Sequence, residues 1–384
     1  MDRAKELMKK NTMIIALIVV TLFFAIQTGG TLLVPQNVTN LISQNGYVVV
    51  LAVGMLMCIL TGGNIDLSVG SVVALIGALA GTLIVNKGMN MWAAIIICLA
   101  VGILIGAVQG FWIAYLRIPA FIVTLAGMLL WRGVALMILG GLTVSPFPNS
   151  YLNLFNSFIP DIFGGSVNVL SIVLGIVVSV IYIAIQLISR AKNIKKGYAT
   201  ESGIAALTKI IIITIVIMAL AFSLSNHKGI PTILILLSII VVIYGYFTTK
   251  TVPGRYLYAM GGNEKASKLS GINTNKVLFL AYVNMAFLSA VAALICVARF
   301  NSAAPTAGTN YEMDAIGACY IGGASAYGGV GSVGGVVIGA IFMGVINNGM
   351  SIMGIDNNLQ KVIKGVVLLA AVTFDVLSKK KSRA

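Results

Sequence analysis

"MWAAIIICLAVGILIGAVQGFWIAYL", residues 91–116, contains no charged side chain. A run of this length rises about 1.5 Å per residue as a helix, enough to cross the roughly 30 Å of a bilayer's hydrocarbon with every backbone polar group bonded inside the segment. Within it Gly102, Gly106 and Gly110 recur every fourth residue and make a smooth ridge against which another helix can lie closely. Gly77 with Gly81 and Gly335 with Gly339 repeat the device.

Similar runs extend through the chain near 12–28, 46–62, 67–86, 121–142, 167–189, 207–224, 231–248, 277–298, 314–328, 333–352 and 359–377. Together with 91–116 they predict an all-α polytopic membrane protein of about 12 spans; the glycine-rich stretch 314–328 is the weakest of them. Composition agrees: of 384 residues 59% are hydrophobic and only 9% charged, with mean hydropathy +1.03, whereas soluble proteins carry about 25% charged residues. The first run follows the basic "RAKELMKK" with no small-residue cleavage site directly after it, and reads as a retained span.

The net charge of +15 raises the question of nucleic acid, but the basic residues lie in short tracts between apolar runs and not on one face, so no nucleic-acid partner is expected. Their distribution orients the chain. With the N-terminus inside, nineteen of the 25 Lys and Arg residues fall in cytoplasmic segments and five outside, among them Lys361 and Lys364; Arg132 is mid-helix. Both termini are therefore expected in the cytoplasm. Outside lies the loop 143–166, with three prolines and no basic residue, which could receive a partner or merely connect.

Enzymatic classes find little support. Cys58, Cys98, Cys296 and Cys319 are far apart in apolar surroundings and read as small buried hydrophobes. His227 is the single histidine, no nucleophile, base and orienter can be assembled, and no metal site is expected. "GVGSVG", 329–334, matches a dinucleotide fingerprint by letter but lacks the βαβ context, and no phosphate-cradling G-x-x-x-x-G-K-[ST] occurs. No cofactor is expected in this chain.

Two polar stretches interrupt the apolar pattern. In "TGGNIDLSVGS", 61–71, a Gly-Gly pair breaks the helix, and Asn64, Asp66 and Ser68 alternate with apolar residues. A carboxylate at membrane depth costs about 3 kcal/mol or more and normally faces a protein interior or a water-filled cavity; a capped turn at the membrane surface is the other reading. In "YAMGGNEKASKLSGI", 258–272, Asn263 can cap a short helix, Glu264 and Lys268 suit its first and last turns, and Gly271 can stop it. Ala266, Leu269 and Ile272 recur at spacing three and give it an apolar side. So short a helix is marginal alone and must dock, on its own membrane domain or on a partner.

Taken in order and spacing, "TGGNIDLSVGS", "RIPAFIVTLAGMLLWRG", "YAMGGNEKASKLSGIN", "EMDAIGACYIGGASAYGGVGSVGG" and "INNGMSIM" resemble the membrane permeases of monosaccharide ATP-binding-cassette importers, in particular the xylose-type members of the group that also serves ribose and galactose. The resemblance covers nearly the whole chain, as a single permease domain 1–384. It implies a multi-pass protein of the bacterial inner membrane. Its partners would be a second permease copy, a separate ATPase binding ATP and Mg, an extracytoplasmic sugar-binding protein, the monosaccharide and membrane lipid. It further implies that 250–276 is a cytoplasmic coupling loop, with Gly261, Gly262, Asn263, Glu264, Lys265, Ala266, Ser267, Lys268, Leu269, Ser270 and Gly271 as the coupling helix. Ala266 and Leu269 would then seat in the ATPase groove, with Glu264, Lys265 and Lys268 on its polar rim. The pair of spans within 167–224 resembles an insertion, found in xylose-type members, into a ten-helix core.

Asn45, Asn64, Asp66, Ser68, Phe121, Thr124, Asn347 and Asn348 are the candidates for a sugar path, being polar or aromatic groups set in apolar helices. Arg132 beside Trp131 reads equally as a structural cation with a carbonyl or aromatic partner. The alternative class, an ion-coupled secondary transporter of a small solute, usually needs intramembrane carboxylates or histidines, and Asp66 is the one plausible such group in the sequence.

Overall fold

The computed structural model describes residues 12–198 and 202–383 and is built of α-helices, with no strand among the described residues. The basic tract 3–10 and the centre of the 190–203 connection lie outside the described residues. In chain order the helices are α1 Thr12–Gln27, α2 Pro35–Leu60, α3 Val69–Ala80 continued by a π-turn Gly81–Asn86, α4 Met91–Ala114, α5 Ala120–Leu139, α6 Asn149–Phe155, α7 Val169–Lys195, α8 Gly203–Ser225, α9 Thr232–Lys250, α10 Val252–Gly262, α11 Glu264–Leu269, α12 Thr274–Phe300, α13 Tyr311–Ile321, α14 Val333–Ile352 and α15 Asn357–Arg383. Among the described residues nine helices are long and apolar enough to cross a membrane, and α1 is a shorter apolar helix. The chain is an all-α polytopic membrane protein.

Two of the expected spans differ in form. α2 begins at Pro35, well ahead of the apolar run at 46, because proline suits a first helical turn and the polar "PQNVTNLISQNG" propagates as helix once started. The run expected over 314–328 is a helix only to Ile321. Eleven residues rise roughly 16 Å, half the hydrocarbon. The following loop takes left-handed conformations at Gly323, Gly328, Gly329 and Gly331, which a helix cannot accommodate. Its freed backbone groups are met inside the protein, Ser325 N donating to Val330 O at 2.9 Å and Gly329 N to Leu60 O at 3.1 Å, as non-helical backbone at depth requires.

The chain divides into two compact units. The larger comprises residues 1–32, 41–156 and 233–384. Its interior is made by α2, α3, α12 and α14, whose apolar stretches are 67% to 78% buried, while α4, α5 and α9 bury only 22% to 28% and keep apolar faces outward. The most extensive helix pair is α4 with α12, and the glycine ridge explains it. A Cβ placed on Gly106 would lie 2.7 Å from Val283 Cα and 2.8 Å from Tyr282 O; one on Gly110 would lie 2.9 Å from Phe279 O. Only hydrogen fits where two backbones approach so closely. Cys58, Cys98, Cys296 and Cys319 are all buried there.

The smaller unit, residues 33–40 and 157–232, holds α7 and α8 as an antiparallel pair. Gly175 packs on Ala221, Asn168 caps α7 through Ser171 N at 2.9 Å, and Asp161 accepts from Val169 N at 2.8 Å. The entering and leaving segments are tied by Thr232 N donating to Ser157 O at 2.9 Å. Only 17% and 11% of the residues in their apolar stretches are fully buried, so each helix keeps an exposed apolar face.

The ridge yields a stability prediction. Gly106→Ala meets backbone that cannot retreat and should lower the detergent melting point by an amount equivalent to about 2 kcal/mol, whereas Gly133→Ala, with nothing within 4 Å of the added carbon, should be neutral or slightly stabilising. Thermal unfolding of the two purified variants checks the contrast.

Candidate functional site

The short helix α11 is built as its residues require. Asn263 is extended (φ −160°, ψ 102°), and its Oδ1 accepts from Ala266 N at 2.9 Å. Glu264 occupies the first turn, Lys268 the last, and Gly271 (φ +84°) stops the chain from continuing. On either side, Thr251 Oγ1 accepts from Gly254 N at 3.1 Å to start α10, and Asn273 Oδ1 accepts from Lys276 N at 3.0 Å to start α12. α11 is therefore a peg held between two capped helices. Its attachment to the bundle is polar: Arg117 Nη1 meets Glu264 Oε1 at 2.7 Å. Arg117 is in the left-handed region (φ +57°), and its guanidinium also donates to Asn275 Oδ1 and, at 3.3 Å, to Thr274 Oγ1. The ion pair is about two-fifths exposed on each side, so it orients the peg more than it stabilises the fold. Ser267 faces inward at 6% exposure; Lys265, Ala266, Lys268 and Ser270 are exposed, and Leu269 is 90% exposed.

Three Gly-Gly steps meet at the base of this peg. A Cβ on Gly261 would fall 1.9 Å from Leu60 O and 2.3 Å from Gly329 N; on Gly63 (φ +76°), 2.0 Å from Ala326 O; on Gly328 (φ +82°), 2.5 Å from Gly62 Cα. Tyr258 OH adds a hydrogen bond to Gly331 O at 3.1 Å. The end of α2, the loop after α13 and the α10–α11 junction are thus in backbone contact, and "GVGSVG" belongs to this packed loop. Gly262, by contrast, is exposed with nothing near its α-carbon's open side. A cleft of about 390 Å³ opens here, lined among others by Asn64, Arg117, Pro119, Gly262 and Glu264.

Away from the peg, the break between α2 and α3 turns its polar groups inward. Asp66 Oδ1 accepts from Ser68 N at 2.8 Å and Ser68 Oγ at 2.6 Å, Gln109 Nε2 donates to Ser68 Oγ at 2.9 Å, and Tyr282 OH donates to Ile65 O at 3.1 Å. Asp66 and Ser68 are 1% and 0% exposed, so they form a closed knot and line no opening. Gln109, unremarked in the sequence, lies against Gly127 on α5, one turn from the buried Thr124, whose hydroxyl returns to Ala120 O at 2.9 Å. Phe121 stands apart, 55% exposed on the outer face of α5.

A second polar group gathers where α2 faces α14. Asn45 is pressed against Gly344, and Asn348 Nδ2 reaches Gln44 Oε1 at 3.5 Å. Asn347 follows on the same helix, and Asn45 Nδ2 and Asn347 Oδ1 are buried with no hydrogen-bond partner among the described residues. The sequence candidates therefore fall into two clusters, Asp66, Ser68 and Thr124 with Gln109, and Asn45, Asn347 and Asn348 with Gln44, while Asn64 sits at the peg.

Asp66 is also not the one intramembrane carboxylate. Glu312 and Asp314, at the start of α13, are 8% and 2% exposed. Lys364, expected on the exterior side, projects from α15 and meets Asp314 at 2.9 Å. Tyr47 OH reaches Asp314 Oδ2 at 3.5 Å, and the Tyr47 and Tyr311 rings stack 4.0 Å apart. Arg132 donates to Pro305 O at 3.0 Å and to Ala307 O, the carbonyl partnership. "EMD" at 312–314, together with Lys361 and Lys364 inside the apolar run 359–377, is the signal the sequence carries for this pairing.

The comparisons with known proteins follow this geometry. Residues 37–372 match the family described as "Branched-chain amino acid transport system / permease component". The xylose transport system permease protein of Escherichia coli (strain K12) is 37% identical over 370 residues, 96% of this chain and 92% of the relative. Its counterpart in Haemophilus influenzae is 36% identical over 369 residues, 96% of each. The ribose import permease protein of Escherichia coli (strain K12) is 36% identical over 340 residues, 88% of this chain and 85% of the relative. No solved structure matches. With nearly its entire length aligned and its spans in place, the chain belongs to the permease-component family of the branched-chain amino acid transport type.

Proposed function

We propose that this protein is the membrane permease of an ATP-binding-cassette importer, passing a monosaccharide of the xylose or ribose kind inward across the bacterial inner membrane. The observation that carries the reading is α11: a capped peg with Leu269 90% exposed, unable to stand alone by length, whose apolar tip its own bundle leaves uncovered. A groove on a separate ATPase would take Ala266 and Leu269, with Lys265 and Lys268 on the rim. Glu264 is already engaged by Arg117, so it sets the peg's angle instead of meeting the partner. Residues 250–276 would then be the cytoplasmic coupling loop and both termini would lie inside.

The wiring at the base gives the mechanism. ATP-driven approach of two ATPase subunits would push the pegs of two permease copies; because Gly261 contacts Leu60 and Gly329 backbone to backbone, the push passes to α2 and to the loop between α13 and α14. Both helices flanking the Gln44, Asn45, Asn347 and Asn348 cluster, α2 and α14, are attached to that base. Neutral sugar needs amide and hydroxyl partners and no fixed charge, and Asn45 Nδ2 and Asn347 Oδ1 offer a donor and an acceptor still unengaged. Selection would reside in the external binding protein, with α7 and α8, within 167–224, as an insertion into the sequence of the ten-helix core.

An ion-coupled carrier fits less well. Asp66 is held by Ser68 and Asp314 by Lys364, so neither of these two buried carboxylates offers a vacant charge to a coupling ion. Reconstituted alone in vesicles under an imposed proton or sodium gradient, the protein should take up no xylose or ribose; gradient-driven uptake would overturn the importer reading. Separately, Gly262→Arg and Leu269→Glu alter only exposed positions, and each should abolish co-purification of the ATPase while membrane insertion and melting point stay unchanged. Normal recovery of the complex with both variants would refute the coupling assignment.

A further inference from the structure

One concavity is left unused by the transport reading. It is an apolar groove of about 400 Å³ bounded chiefly by α9 and α12. Its walls are two helical stripes. Ile243, Phe247 and Lys250 follow at spacings of four and three along α9, and Lys276, Leu280, Val283 and Phe287 at four, three and four along α12. Each stripe is apolar within the bundle and ends in an exposed lysine on the side of the peg. The α12 stripe rises roughly 16 Å, the depth of one leaflet of a 30 Å hydrocarbon layer. Arg255, also exposed, stands in sequence between Pro253 and Leu257, which line the groove. α9, α10 and α12 contain no Asp or Glu, and Glu264 next to them is engaged by Arg117.

We propose that this groove binds one anionic phospholipid of the inner leaflet, an acyl chain lying between Phe247 and Leu280 and the headgroup on Lys250, Arg255 and Lys276. The charge argument selects this occupant over a second copy of the chain. A two-fold contact through this face would bring three cations toward their own equivalents with no carboxylate on those helices to offset them, whereas an anionic headgroup satisfies all three. Lysine stems can run along the apolar wall while their ammonium groups stay at the interface. The site rests on the transport reading only for the side of the membrane on which the lysines lie.

The test uses the full chain in mild detergent, with bound lipid counted by native mass spectrometry during titration with phosphatidylglycerol or phosphatidylcholine, and no ATPase or sugar present. Phosphatidylglycerol should bind preferentially at one molecule per chain. Lys250→Gln combined with Lys276→Gln should weaken it by roughly thirtyfold, and Ile243→Trp, which fills the groove without changing charge, should lower occupancy of both lipids. The pair Lys87→Gln and Lys361→Gln, equal in charge but outside the groove's lining, should leave binding unchanged. Equal affinity for the two lipids, equal loss in the control pair, or disulfide cross-linking of two chains through Ile243→Cys would overturn the proposal. Loss of lipid binding with intact transport would leave the importer reading standing.

Discussion

Backbone approaching backbone at glycine is the contact on which this protein depends. Lipid tails are as apolar as leucine, so helices in a membrane gain little by merely hiding apolar surface from each other and must gain it by packing. Gly106 and Gly110 let α4 lie against the backbone of α12, and that pair anchors an interior otherwise made of small and branched side chains. The same device recurs at the end of α2, where Gly62, Gly63, Gly261, Gly328 and Gly329 bring three chain segments into contact with no side chain between them. Side chains can change rotamer and absorb a displacement; abutting backbones cannot. A junction of this kind transmits motion, which is what a peg driven by a separate motor would need.

Electrostatics inside the bundle follows a consistent rule. Two buried carboxylates are met from within the chain, Asp66 by a serine hydroxyl and backbone amide and Asp314 by Lys364. Isolated charges at this depth would be expensive, and matching them leaves an interior with amides and hydroxyls as its remaining polarity. In the proposed reading that polarity suits a neutral polyhydroxylated solute. Arg132, bonded to the carbonyls of Pro305 and Ala307, closes the stretch before α13 in the same spirit: a cation used to satisfy irregular backbone.

Much of this was legible beforehand. Long uncharged runs announce spanning helices because the bilayer leaves the backbone no other way to satisfy itself, and the peg from Asn263 to Gly271 is a local object whose cap, dipole charges and stop are all encoded within nine residues. Where reading failed, competing local signals were responsible. The polar start of α2 concealed the eleven helical residues 35–45 behind loop-like composition, and the apolar tone of 314–328 concealed a half-length helix because glycine is compatible with both a packed helix and a left-handed turn.

The amino-acid sequence by itself determined the class of molecule, the order of its long apolar helices, and the existence of a capped polar peg, since all of these arise from interactions along a single segment. Which way Leu269 faces, that Glu264 is taken by Arg117, that Asp66 closes on Ser68 and Gln109, and that Asp314 finds Lys364 fifty residues away were decided only by the tertiary structure. Those are contacts between segments that no local pattern relates, and burial forces each polar group to find whichever partner the packing brings within reach.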